Sequence, residues 1–207
     1  MKPNIVVCEN DLPKDVTFDN GMAAVDTETL GLNVHRDRLC VCQVSDGQGN
    51  AWLVKFDGSD YSAPNLKKML KDPRILKIFH YARFDIAVLK KYLEVETAPL
   101  YCTKIASKLC RTYTDRHGLK ALVEELLEQS MSKEQQSSYW AADELSEAQK
   151  HYAASDVLYL HDLKLELDKR LKDVGRLHLA QQCFEFLPTR AELDLAGWPE
   201  NDIFAHK

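Results

Sequence analysis

Short apolar runs rich in β-branched residues open the chain: NIVVC at 4–8, MAAVD at 22–26, LCVCQVS at 39–45 and AWLVKF at 51–56. Each has strand length, and Gly, Asn and Asp punctuate them, so the first quarter is predicted to hold four strands. DGQGN at 46–50 reads as a hairpin turn. From Pro64 the period lengthens. Leu66, Met69 and Leu70 keep helical spacing, ILKIF at 75–79 is a strand, and Ile86, Leu89 and Leu93 mark one side of a helix over 82–93. A short extended piece near 98–102 precedes a helix over 103–111, and Gly118 introduces the helix LKALVEELLEQ. Ser146 and Gln149 form a capping box, and apolar positions from Leu145 through Tyr152, Val157, Leu160 and Leu163 predict one helix running to Val174. The tail from Leu177 carries Phe184, Phe186, Trp198, Ile203 and Phe204. That is too apolar for a free linker, and it is expected to pack on the domain or on a neighbouring subunit. An antiparallel meander followed by alternating strand and helix predicts an α/β fold with a mixed central sheet flanked by helices.

Composition narrows the function classes. At 207 residues one core is expected, and 45% hydrophobic with 29% charged residues is ordinary for a globular chain. With 27 Lys plus Arg against 32 Asp plus Glu, the net charge is −5. This argues against a broad cationic surface coating long nucleic acid and leaves a local basic site open. No segment has membrane-span length, and the opening residues lack the pattern of a signal or transit peptide. Six cysteines without zinc-site spacing read as buried free thiols in a reducing cytosol.

Candidate chemistry lies in the acids. Strand alternation puts Asp26 and Glu28 on one face at the end of the second strand, where both carboxylates can grip one hard cation. Asp85 lies early in the helix after a buried strand, and Asp156 interrupts an apolar helix face in HYAASDVLYLHDL. An unpartnered buried carboxylate costs several kcal/mol, so Asp156 needs a metal, a cation or a donor. Tyr152 is four residues earlier, about 40° away around the helix, whereas His151 is about 140° away.

Four acids from three segments with that Tyr resemble the DEDD superfamily of 3′-5′ exonucleases in its tyrosine variant. VDTETLGL, KIFHYARFD, CTKIASKLCRTYTDRHGLK and HYAASDVLYLHDL resemble the ribonuclease D family and, within it, the compact nano-RNase C group. The resemblance implies a ribonuclease H-like fold, with an exonuclease domain over residues 1–175 and a packing tail over 176–207. It also implies two-metal hydrolysis with Mg²⁺ or Mn²⁺ ions about 4 Å apart. Asp26 would bridge the ions, Glu28 and Asp156 would complete the water-activating site, Asp85 would hold the other ion, and Tyr152 would orient the attacking water. The products would be 5′ mononucleotides from oligoribonucleotides of two to a few nucleotides. A sister subgroup uses a His five residues before the last acid, where His151 stands here. The helical angles favour Tyr152.

Leu32 follows the acidic pair across Gly31, where the resemblance implies an apolar wedge between bases. His80 and Phe84 are candidates for the terminal sugar or base. Lys104, Lys108, Arg111, Arg116 and Lys120 outweigh Asp115 by four charges in 103–120, and Lys104, Lys108 and Arg111 share one helix face. Lys104, Lys108, Arg111 and Arg116 are therefore candidates for a 5′-phosphate cap. A homo-oligomer, an octameric ring, is implied as well. A DNA exonuclease, or a non-catalytic oligonucleotide-binding protein on the same fold, are the rival expectations.

Overall fold

The computed structural model describes residues 3–131 and 138–206. Six strands, β1 (Asn4–Glu9), β2 (Met22–Thr29), β3 (Leu39–Ser45), β4 (Asn50–Lys55), β5 (Leu76–Phe79) and β6 (Leu100–Cys102), form one sheet in the order β1-β4-β3-β2-β5-β6. β2, β3 and β4 are the antiparallel meander, while β1 lies parallel to β4 and β5 joins β2 and β6 in parallel. The meander therefore begins at β2. β1 is an outer strand reached by the crossover through residues 10–21.

Helices α1 (Pro64–Lys71), α2 (Ala82–Leu93), α3 (Thr103–Cys110), α4 (Leu119–Leu126), α5 (Glu147–Leu158), α6 (Leu160–Asp173) and α7 (Leu177–Leu195) cover the sheet. Consecutive strand residues point to opposite faces, and the helices divide accordingly. Leu53 packs with Trp140 and Ala153 of α5, whereas Val54 points into the main core with Ile86 and Leu89 of α2. β2 is thus sandwiched between α5 and α2, and its residues address the two helices alternately.

The single helix expected over 146–174 is two helices. The Ser146–Gln149 capping box forms with both of its hydrogen bonds, but the helix stops at Tyr159, with φ −95° and ψ −8°. α5 packs on β2, β3 and β4, while α6 lies against α3, α4 and α7. The unbroken apolar sequence serves two partners in different directions, and the bend reconciles them. The tail forms α7, which crosses α2 and meets β6 through Phe184 on Tyr101, ring centroids 4.6 Å apart. Arg83 makes a bidentate pair with Asp194 at 2.6 Å, and Arg190 holds the same carboxylate at 2.6 Å. Five of the cysteines are buried, Cys183 is exposed, and all six are free. Among the described residues no helix is long and apolar enough to cross a membrane.

Candidate active site

The carboxyl end of β2 is where the acids meet. Asp26, Glu28 and Asp156 each offer a carboxylate oxygen, and these oxygens lie within 4.8 Å of one another. Alternation along β2 turns Asp26 and Glu28 toward α5, which presents Asp156 and, one turn earlier, Tyr152. Thr27 points the other way and donates to Asp85 Oδ1 of α2 at 2.7 Å. Asp85 thus joins the group from the opposite helix, held by the residue between the two β2 acids. These side chains line a cavity of about 660 Å³ with Leu32, His80, Tyr81, Phe84, Lys104, Lys120 and Trp140. A larger cavity of about 980 Å³, between α1, α6 and α7, contains none of these acids.

Burial dominates the electrostatics. Desolvation, with only a backbone hydrogen bond opposing it, pushes Asp26 up to about 7. Desolvation and then the charges of Asp26, Asp156 and Asp85 push Glu28 up to about 10. Asp85 and Asp156 are also raised well above the carboxylate range, by desolvation first and Asp26 second, and a hydrogen bond from Tyr152 opposes the shift of Asp156. Among the described residues none of the four makes a salt bridge. Lys104 Nζ sits 4.3 Å over the Tyr81 ring, and Lys120 pairs with Glu124 at 3.7 Å. An oxygen-only donor set of four acids with no cationic partner among the described residues, whose protons a metal can displace, fits a hard divalent cation.

The sign of the pH dependence follows. Folded-state values above the unfolded ones, about 4, mean that the metal-free fold binds more protons than the unfolded chain. Its stability is greatest on the acid side and declines as pH rises through about 7 for Asp26 and about 10 for Glu28. A cation competes with those protons. The rise in melting temperature produced by Mg²⁺ should therefore be small near about pH 5.5 and large near about pH 8.5. A rise independent of pH in calorimetry would contradict this assignment.

Leu32 is 86% exposed at the mouth of the cavity. The loop that presents it closes tightly at Gly31, where a Cβ would stand 2.3 Å from Asp37 Oδ2. His80 is half-buried in the cavity wall, and desolvation with the Lys104 charge lowers it to about 3, so the ring is neutral. Thr103 Oγ1 donates to the Phe79 carbonyl and lies 2.9 Å from His80 Nδ1. That pattern assigns the proton to Nδ1 and leaves Nε2 an acceptor. Tyr152 lines the cavity beside Trp140, ring centroids 6.0 Å apart, whereas His151 is exposed and is not among the described lining residues.

The basic stretch is corrected in part. Lys104 lines the cavity, but Lys108 and Arg116 are not among its described lining residues, and Arg116 lies 3.6 Å from Glu124. Arg111 is outside α3, with φ −111° and ψ 60°, and its side chain is fully buried. It pairs with Glu125 at 2.5 Å and donates to Ser107 Oγ at 2.9 Å and to the Arg116 carbonyl at 2.8 Å. Ending α3 at Cys110 swings Arg111 off the predicted stripe and into a structural tie between α3 and α4. Arg111→Met is expected to cost about 2–3 kcal/mol in chemical denaturation, less than a fully buried pair because Glu125 is partly solvated. KM for a 5′-phosphorylated dinucleotide should not change; a raised KM at unchanged stability would return Arg111 to the substrate.

Sequence reasoning passed over Thr27, Gln43, Tyr81 and Trp140. Gln43, a lone polar residue in LCVCQVS, was the available signal, and its Nε2 donates to Asp26 Oδ2 at 3.3 Å.

Residues 13–172 match the family described as 3′-5′ exonuclease. The chain belongs to that 3′-5′ exonuclease family. Within it, the chain is 57% identical to Brucella melitensis NrnC bound to pGG, with a TM-score of 0.96 and all of both chains covered. It is 56% identical to the same protein with bound Mg²⁺, at a TM-score of 0.94 over 99% of this chain and 100% of that one. Ribonuclease D from Shewanella sp. (strain ANA-3) is 33% identical over 75% of this chain. The chain spans about two fifths of the length of the ribonuclease D relatives it matches, 39% in the Shewanella case.

Proposed function

We propose that the chain is a metal-dependent 3′-5′ exoribonuclease that hydrolyses short oligoribonucleotides, dinucleotides included, to 5′ mononucleotides. The observation that carries the reading is the oxygen-only grouping of Asp26, Glu28 and Asp156, with Asp85 alongside, in a cavity of about 660 Å³. That volume suits a small ligand better than a long polymer, for pockets of about 300–1,000 Å³ are the usual small-molecule range. Likeness to NrnC with pGG and with Mg²⁺ supports the substrate class and the ion.

Asp26, Glu28, Asp156 and Asp85 would hold two divalent ions, Mg²⁺ or Mn²⁺, which supply a reactive water and neutralise charge on the departing 3′ oxygen. Asp26, whose charge acts on each of the other three acids, would be the ligand shared by both ions. The Tyr152 hydroxyl, one helical turn from Asp156 in the same cavity wall, would orient the attacking water. Leu32 at the mouth wedges between the last two bases, and His80 Nε2 accepts from the terminal ribose while Phe84 packs on the base. Lys104 faces the phosphates. Residues 1–175 act as the catalytic domain and 176–207 as a tail that braces α2 through Arg83 and Asp194.

The test is a time course on 5′-labelled RNA of two to about ten nucleotides, with Mg²⁺ and with chelator, beside matched DNA. Dinucleotides consumed fastest, from RNA and only with metal, is the expected result. Equal or faster DNA hydrolysis would replace the substrate with DNA, and binding without hydrolysis would leave a non-catalytic module. Assembly into a homo-oligomeric ring, an octamer, is proposed with it. Exposed Trp198, Ile203 and Phe204, the last 5.9 Å from Phe186, are available for contact between copies. Light scattering that returns 23.7 kDa would reject the ring.

A further inference from the structure

Gln43 is wholly buried in the middle of β3, a strand whose 7 residues are all buried. A primary amide there gives up its hydrogen bonds to water and destabilises the fold unless both ends are paired. One end is paired. In the β2–β3 ladder Gln43 stands opposite Asp26, and its Nε2 donates to Asp26 Oδ2 at 3.3 Å. Its Oε1 has no hydrogen-bond partner among the described residues. An apolar side chain of similar volume would fill the space without stranding an acceptor, so packing alone does not account for the amide.

We infer that Gln43 is a positioning residue for Asp26. Its amide N–H fixes one carboxylate oxygen and so turns the other toward the space shared with Glu28 and Asp156. Held by this donor in advance, the carboxylate loses little rotamer freedom when a cation arrives, which is how partners behind metal ligands raise affinity. The inference rests on the metal-dependent reading given above.

The full chain is compared with Gln43→Met, which keeps length and volume without a donor, and Gln43→Asn, whose amide is one methylene too short to reach. Melting temperature against Mg²⁺ concentration gives a metal midpoint independent of turnover, and hydrolysis of a labelled dinucleotide gives a second. The Met variant should melt no lower than wild type in chelator. Its Mg²⁺ midpoint should rise about tenfold in both readouts, with turnover regained at high Mg²⁺. Asn should shift the midpoint the same way and decides the matter if Met does not fold. A wild-type response to Mg²⁺ with variant midpoints within about twofold of it, at a lowered melting temperature, would make Gln43 a core filler and overturn the inference alone. No wild-type response to Mg²⁺ would reject the metal reading and the inference together.

Discussion

Asp26→Asn should lower dinucleotide turnover by about a thousandfold while raising the melting temperature of the metal-free chain. The two signs come from one cause. Asp26 appears among the charges that raise Glu28, Asp85 and Asp156 alike, so it lies at the electrostatic centre of the group. Replacing its carboxylate with an amide of the same shape relieves like-charge repulsion in a desolvated site, and the fold gains. The same replacement would remove the carboxylate proposed to be shared by the two ions. Metal ions stabilise transition-state charge by several kcal/mol, and about 4 kcal/mol corresponds to about a thousandfold in rate. Calorimetry with and without Mg²⁺ and single-turnover hydrolysis read both effects. Retained turnover in Mg²⁺ would remove Asp26 from the mechanism, and a melting temperature that fell in chelator would show that the acids are not in conflict.

Local sequence rules revealed the features that depend on neighbouring residues. Alternation in MAAVDTET placed Asp26 and Glu28 on one strand face, and the structure turns both toward α5. Ser146 and Gln149 were legible as a cap because the motif is satisfied within four residues. What escaped depends on distant partners. Nothing around Tyr159 announces the break, because its cause is that α5 packs on β2, β3 and β4 whereas α6 packs chiefly on α3. Lys104, Lys108 and Arg111 share a face only if the helix continues, and it ends at Cys110 so that Arg111 can reach Glu125. Thr27 was passed over since alternation turns it away from the acids beside it. The residue it serves, Asp85, is 58 positions along the chain. Gln43 is likewise meaningful only once β3 is registered against β2.

Tyr152→Phe should cut kcat by about a hundredfold or more, the lower range for losing one positioned proton-handling group. His151→Ala should change kcat by less than about twofold, as surface substitutions away from a site do. The two residues are adjacent, so the contrast isolates direction around the helix from position along it. Tyr152 faces the cavity, its ring lies against Trp140, and it shares the cavity wall with Asp156, one helical turn on. Burial and the surrounding carboxylates raise the phenol above its ordinary range, so it stays protonated and is able to donate a hydrogen bond, as the proposed role requires. Phenylalanine keeps the ring packing and deletes only the oxygen. The Mg²⁺-induced rise in melting temperature should therefore survive in Tyr152→Phe even though turnover is lost, which separates orienting water from holding metal. Loss of that thermal response would make Tyr152 a support for the Asp156 ligand. A large effect from His151→Ala with little from Tyr152→Phe would require the helix to be rotated by about one residue, 100°, from the geometry described.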